Sequence, residues 1–449
     1  MSERQPTPTE TSPGRPEELR RSVRLGLFGS TPAFTVRQWR VFLIATTAGF
    51  FDNYDRALLS LALKQIQKGL KISEAALGTV LSVIRLGYIF SLCITPLADV
   101  FGRRRLLLYT IVAYTVFTGL TAVAPNEHVF AMWQMLARAF AGAEGTVALV
   151  ILSEEVDAGV RGWAIGLLSA LVSVGYGLAA LAFAGINVMP YGWRGLYALA
   201  LIPLVLIIPL RRVLPESRRF EREERSGERP RSVLAPLKAL FRAYPTRLAM
   251  LVAVGFLGNL GGNAAGFFFP KYLQEAHGWS PGDVSRLYFL GGGLGILGNI
   301  VAGRMSDRFG RRRMGSLFFL LAPFLTIWLY STRSNLVIPI WVVELFFDVA
   351  GSTIVTAYGV ELFPTSYRST AGSALAVAGT TGGALGLFLE GVLYRATGSH
   401  WVAVCCLTIF WMVAPVVMFF SFPETAGREL EAISPEKPAT SVTSPAGPP

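Results

Sequence analysis

The sequence predicts an all-α integral membrane protein: twelve transmembrane helices in two pseudo-symmetric halves of six. Three observations carry that prediction. The first is composition, with 52% of the 449 residues hydrophobic, 16% charged and a mean hydropathy of +0.48, far from the soluble average. Apolar runs of about 20 residues, each enough to cross roughly 30 Å of hydrocarbon, recur along the chain. The second is an internal repeat. Asp99-Val100-Phe101-Gly102-Arg103-Arg104-Arg105 returns as Asp307-Arg308-Phe309-Gly310-Arg311-Arg312-Arg313. Glu154 with Arg161 returns as Glu361 with Arg368, and Pro215-Glu216-Ser217 as Pro423-Glu424-Thr425, in the same register to within one residue. A parallel repeat of a membrane unit is a transporter signature. The third is charge placement, because most Lys and Arg fall on one alternating side of the apolar runs, which marks that side as cytoplasmic.

Residues 1–38 are rich in Pro, Ser, Glu and Arg and read as a disordered cytoplasmic tail without the apolar segment of a cleavable signal. The first half, 39–212, holds spans near 41–63, 75–98, 104–124, 129–152, 162–185 and 193–210. A cytoplasmic linker, 213–246, is dense in Arg and Glu from Arg218 to Arg231. The second half, 247–423, holds spans near 247–269, 283–305, 314–331, 336–360, 370–393 and 400–421, and 424–449 form a second cytoplasmic tail. Gly175 and Gly177, and Gly379, Gly382, Gly383 and Gly386, are placed to let helix backbones approach closely. The Gly291-Gly292-Gly293 run lacks the strand and Lys of a phosphate loop and also reads as helix packing.

The net charge of +12 fixes topology and meets anionic lipid; no basic patch is interleaved with aromatics, which excludes nucleic acid. Cys93, Cys405 and Cys406 lie in apolar runs and form no framework. His128, His277 and His400 read as isolated interfacial residues, so no metal is expected. Neither a nucleophile–base pair nor a nucleotide loop is visible, so the sequence predicts neither an enzyme nor a cofactor.

The duplicated loop resembles that of the major facilitator superfamily, Gly-x-Leu-x-Asp-x-x-Gly-Arg-Arg, over nearly everything between residues 38 and 430. The first copy, Thr95-Pro96-Leu97-Ala98-Asp99-Val100-Phe101-Gly102-Arg103-Arg104, departs at its initial Gly; the second, from Gly303 to Arg312, keeps it. The resemblance implies a gating role for Asp99, Gly102, Arg103, Arg104, Glu154 and Arg161, and for Asp307, Gly310, Arg311, Arg312, Glu361 and Arg368. Carboxylates there can pair with guanidinium groups and helix N-termini, holding cytoplasmic helix ends together in one state.

Pro215-Glu216-Ser217 and Pro423-Glu424-Thr425 resemble sugar-porter signatures, and Glu361 to Arg368 is similar to organic-ion, synaptic-vesicle-glycoprotein-like carriers. Where sugar porters carry a Gln-rich seventh span, this chain has Gly258-Asn259-Leu260-Gly261-Gly262-Asn263. Phe51-Asp52-Asn53-Tyr54-Asp55 is similar to the first-span element of aromatic-acid and other carboxylate proton symporters. An ionisable group at mid-bilayer costs roughly 2.5–3.5 kcal/mol, so each one calls for a reason. The resemblance implies proton coupling at Asp55, Arg138 and Glu144. Substrate contacts are expected from Asp52, Tyr54, Arg85, Asn259, Asn263, Glu344, Asp348 and Tyr358. Arg85 reads either as a carboxylate anchor or as a structural counter-ion. Phe267, Phe268 and Phe269 are further wall candidates, and Glu390 a further acid near the outer interface.

The expectation is a monomeric carrier in the cell membrane that moves a small organic solute, a carboxylate or aromatic acid, together with protons. The alternatives are a sugar, polyol or vitamin carrier, a proton-coupled exporter of cations or drugs, and a non-transporting receptor of the same fold.

Overall fold

In a computed structural model, residues 34–156, 158–202, 234–426 and 433 are described. All regular structure among them is helical. The first group comprises α1 (Val36–Leu61), α2 (Leu63–Leu70), α3 (Glu74–Ile94), α4 (Ala98–Phe101), α5 (Arg103–Thr121), α6 (Glu127–Glu155), α7 (Ala158–Ala184) and α8 (Trp193–Leu199). The second comprises α9 (Leu234–Ala243), α10 (Pro245–Ala276), α11 (Pro281–Phe309), α12 (Arg311–Ser331), α13 (Val337–Glu361), α14 (Arg368–Thr397) and α15 (His400–Ser421). Eight of the described helices are long and apolar enough to cross a membrane. α1, α5 and α11 have the length, but charged, Asn and Gly residues dilute their apolar stretches. The sixth expected span and most of the linker lie outside the described residues.

Helix starts follow local chemistry. Thr35 and Gln38 close a capping box on α1, Ser280 and Asp283 another on α11, and Asn126 accepts from the Val129 N–H on α6. α10 begins with Pro245 in its first turn and outruns its expected end, continuing through Pro270 to Ala276. Pro270 cannot donate to the Gly266 carbonyl four residues back. Ser60 of α1 lies there instead, its hydroxyl 3.2 Å from the Phe267 carbonyl and 3.4 Å from that of Gly266.

Helices alternate between two ends. The near end carries the duplicated loops and the far end the α1–α3 and α10–α11 turns. The repeat is visible in the backbone: Gly102 adopts φ 92°, ψ 138° and Gly310 φ 98°, ψ 134°. A side chain is strained in that region, so Gly310→Ala is expected to lower stability by about 1–3 kcal/mol. Gly303→Ala, on an open helix face, is the neutral control, and thermal unfolding in detergent compares the two.

Packing differs between the ends. Towards the far end one core mixes both groups, with Leu58, Leu81 and Phe183 against Leu260, Phe268 and Trp341. Towards the near end the cores are separate, one from Phe34 to Ala164 and another from Leu240 to Phe422. Gly78 of α3 lies against the backbone of Leu387 and Gly391 on α14, and Gly382 and Gly386 of α14 lie on that of Phe256 and Leu260. Gly175 meets the Phe50 backbone as expected, whereas Gly177 has only the Phe289 ring near it. The two groups therefore join at the far end and part towards the near end.

Candidate functional site

A cavity of about 870 Å³ lies between the two groups. Phe50 and Asn53 of α1, Tyr176 of α7, Phe269 of α10 and Tyr288 of α11 line it, with Tyr330 and Trp341. Tyr176 stacks on Tyr288 across the groups, centroids 5.7 Å apart, and Phe269 stacks on Trp341 at 5.7 Å. Into this aromatic chamber α13 places two carboxylates one turn apart, Glu344 and Asp348, with Thr326 donating to Glu344 Oε1 at 3.1 Å. No Lys or Arg lines it among the described residues.

A second cavity of about 480 Å³ shares Tyr176, Gly262, Gly266, Asp348 and Trp411 with the first and runs towards the near end past Val254 and Val355. Asn259 and Asn263 line it, and Asn263 donates to Asn259 Oδ1 at 2.7 Å. Four of the sequence-predicted substrate residues, Asn259, Asn263, Glu344 and Asp348, thus border one continuous space.

Beside it, inside the first group, lies a charge cluster. Arg138 of α6 donates through Nη2 to Asp55 Oδ2 at 2.7 Å and to Gln134 Oε1 at 3.0 Å, and through Nη1 to Asp52 Oδ1 at 3.3 Å. Asp52 also accepts from Arg56 at 2.9 Å. Asp55 is fully buried, and its Oδ1 has no hydrogen-bond partner among the described residues. Glu144 on the same α6 is buried too, with Oε2 unpartnered.

Other expected contacts are placed differently. Tyr54 points into the first group, its hydroxyl donating to the Leu196 carbonyl at 3.2 Å. Tyr358 sits near the near end, donating to the Pro423 carbonyl at 3.2 Å. Neither borders the cavities: aromatic residues on these helices also fill helix–helix seams. Phe268 is buried against His400, while Phe267 lines the smaller cavity and Phe269 the larger. Arg85 reaches from α3 towards Gly383 of α14, beside Asn263, and makes no ion pair among the described residues. Its Nε is buried and lacks a hydrogen-bond partner among the described residues.

At the near end each group has its own network. Arg103 pairs with Glu154. In the second group Arg311 pairs with Glu361 and, at 3.1 Å, with Asp307. Glu424 accepts from the backbone N–H of Arg311 at 2.7 Å and of Arg312 at 3.2 Å, closing the N-terminus of α12. Thr425 donates to Glu361 at 2.7 Å. The repeated Pro-Glu-Thr motif was the signal for Glu424, absent from the expected gating set. Arg368 does not meet Glu361 but reaches the Phe363 carbonyl at 3.3 Å. The side chains of Asp99 and Arg161 lie outside the described residues.

His400 is not isolated: Glu390, towards the far end as expected, is its partner. Both are buried and 2.5 Å apart.

Known proteins resemble this chain in sequence and fold. A family model described as Major Facilitator Superfamily matches residues 45–347 and 287–446. The chain is 25% identical over 445 aligned residues to the glucose transporter GlcP of Staphylococcus epidermidis, covering 89% of this chain and 97% of that one. It is 24% identical over 460 residues to the benzoate transport protein of Acinetobacter baylyi, covering 93% and 96%. The crystal structure of a D-xylose-proton symporter superposes with a TM-score of 0.72 at 18% identity, covering 87% of this chain and 99% of that one, a likeness of fold.

Proposed function

The chain belongs to the major facilitator superfamily, and from this premise we infer that it takes up a small ring-bearing solute together with protons. It is a multi-pass membrane protein and a secondary transporter of small organic solutes by alternating access, not an enzyme. In this reading twelve spans form two halves, residues 39–212 and 247–423, in a monomer of the cell membrane. The Arg-rich near end and both termini face the cytoplasm. The joined far end and parted near end then correspond to an inward-facing state.

One observation carries the solute class: the larger cavity is walled by stacked aromatic rings and contains two carboxylates and, among the described residues, no Lys or Arg, while Arg56, which lines the adjoining smaller cavity, is paired with Asp52. Aromatic faces suit a ring, and carboxylates accept from hydroxyl or amide hydrogens. Two carboxylates one turn apart in an apolar chamber do not both ionise cheaply, and an anion would meet whichever is charged as a like charge. A neutral, hydrogen-bond-donating ring, such as a sugar, polyol or uncharged vitamin, fits best, and the glucose transporter among the relatives supports it. The second reading is an aromatic carboxylate. It rests on unpaired Arg85 beside Asn263, and on the benzoate relative. Competition in reconstituted vesicles separates them with matched probes. Benzamide and glucose are expected to inhibit uptake and benzoate to be weaker; benzoate inhibition lost in Arg85→Gln would establish the carboxylate instead.

Gating is assigned to the near-end networks, which tie helix ends within each half. Asp307→Asn is expected to slow turnover severalfold with solute affinity little changed; uptake at wild-type rate in vesicles would remove Asp307 from the gate.

A further inference from the structure

The bonds joining the two groups cluster at the far end, and their centre is a buried set of ionisable groups outside the site described above. His400, first residue of α15, has Nδ1 2.5 Å from Glu390 Oε1 of α14 and Nε2 2.8 Å from Glu74 Oε2 of α3. Lys271 of α10, fully buried, pairs with the same Glu74 and stands 3.5 Å from Glu275. Lys64 of α2 donates to the Gln274 carbonyl at 3.0 Å. Of these groups, Glu74 and Lys64 belong to the first half; the rest belong to the second.

A neutral imidazole has one N–H, so it donates to one carboxylate only. Here both ring nitrogens face carboxylate oxygens at hydrogen-bond distance. The arrangement is satisfied only when the pair carries one further proton, on the ring or on an acid. The ring lies between two aromatic faces, Phe268 at 4.9 Å and Tyr394 at 4.2 Å between centroids, a setting that favours an imidazolium. Glu390 Oε2 is buried without a hydrogen-bond partner among the described residues and faces Gly78 across the α3–α14 seam.

We propose that His400 and Glu390 form a second proton-binding site, whose proton holds Glu74 and so closes the far end. Without that proton a ring lone pair faces one of the carboxylates in a dry seam, a repulsion relieved by separation. Glu74 is the partner that can move away from the ring, because it belongs to the opposite half and its side chain is 40% exposed, which also gives far-side water a route in; Lys271 still pairs with it, so loss of the proton weakens the seam rather than severing it. Proton entry from that side would then shut the outer gate behind a loaded solute. The closing interaction is complete when the pair is protonated and is lost as pH rises. This proposal rests on the inward-facing reading above, but its test needs neither solute nor flux.

Spin labels at exposed Lys71 and Thr397, in protein with Cys93, Cys405 and Cys406 replaced, report the far-end distance by pulsed electron resonance. The short-distance population is expected to fall as pH is raised from about 5 to about 9. That response should vanish in His400→Gln and in Glu390→Gln while persisting in Asp55→Asn. A pH-independent distance in the labelled parent, or an unchanged response in a folded, monodisperse His400→Gln or Glu390→Gln, would overturn the proposal.

Discussion

Asp55→Asn is expected to abolish proton-driven accumulation while leaving counterflow, the exchange of labelled for unlabelled solute, near wild-type rate. Asp55 is the fully buried acid whose Oδ2 is held by Arg138 at 2.7 Å while Oδ1 has no partner among the described residues. Such an acid has two ways to be neutral in a dry site, a proton or a paired guanidinium. Alternation between them, as the halves move, would tie one proton to each cycle. Asparagine is fixed in the neutral state, so the cycle runs without net proton movement. Arg138→Lys keeps the charge but loses the planar fork that serves Asp55, Asp52 and Gln134 together, and a severe defect is expected there as well. Uptake against an imposed pH gradient, with counterflow in the same vesicles, reads both. Continued accumulation by Asp55→Asn would move the coupled proton to Glu144, the other buried acid nearby, or to the His400–Glu390 pair.

Glu344→Gln is expected to weaken the solute by about 10- to 100-fold, the loss of one hydrogen bond to a charged acceptor, with Asp348→Asn similar. Both carboxylates face the aromatic chamber, and Thr326 occupies one oxygen of Glu344, leaving the other for solute. Isothermal titration in detergent checks this without transport. Affinity unchanged in both variants would remove both carboxylates from the solute site and leave Asn259 and Asn263 as the polar contacts to test.

The spans were legible because each needs about 20 apolar residues, and the described helices follow the expected ones closely. The seventh shows where that signal fails. The span was expected near 247–269, which placed Lys271 outside it, yet α10 continues through Pro270 to Ala276 and Lys271 is fully buried. His400 and Glu390 do lie towards the far end, where the sequence put them; their pairing was missed, because a pair formed across helices leaves no mark in sequence spacing. Asp55 was readable because an acid in an apolar run needs a partner, and Arg138 is that partner; Asp52, expected at the solute, is instead tied to Arg138 and Arg56 and lines neither cavity. Tyr54 and Tyr358 show the opposite error: an aromatic residue on a spanning helix does not reveal by its type whether it faces a cavity or a neighbour.

The central claim, proton-coupled carriage of a small ring-bearing solute, is tested most directly with purified protein in sealed vesicles. Labelled solute is supplied outside and the interior made alkaline. The expected result is accumulation above the outside concentration, collapsing when a protonophore dissipates the gradient. Equilibration with no response to the gradient would contradict proton coupling, and no flux of any competing solute would leave a receptor rather than a carrier.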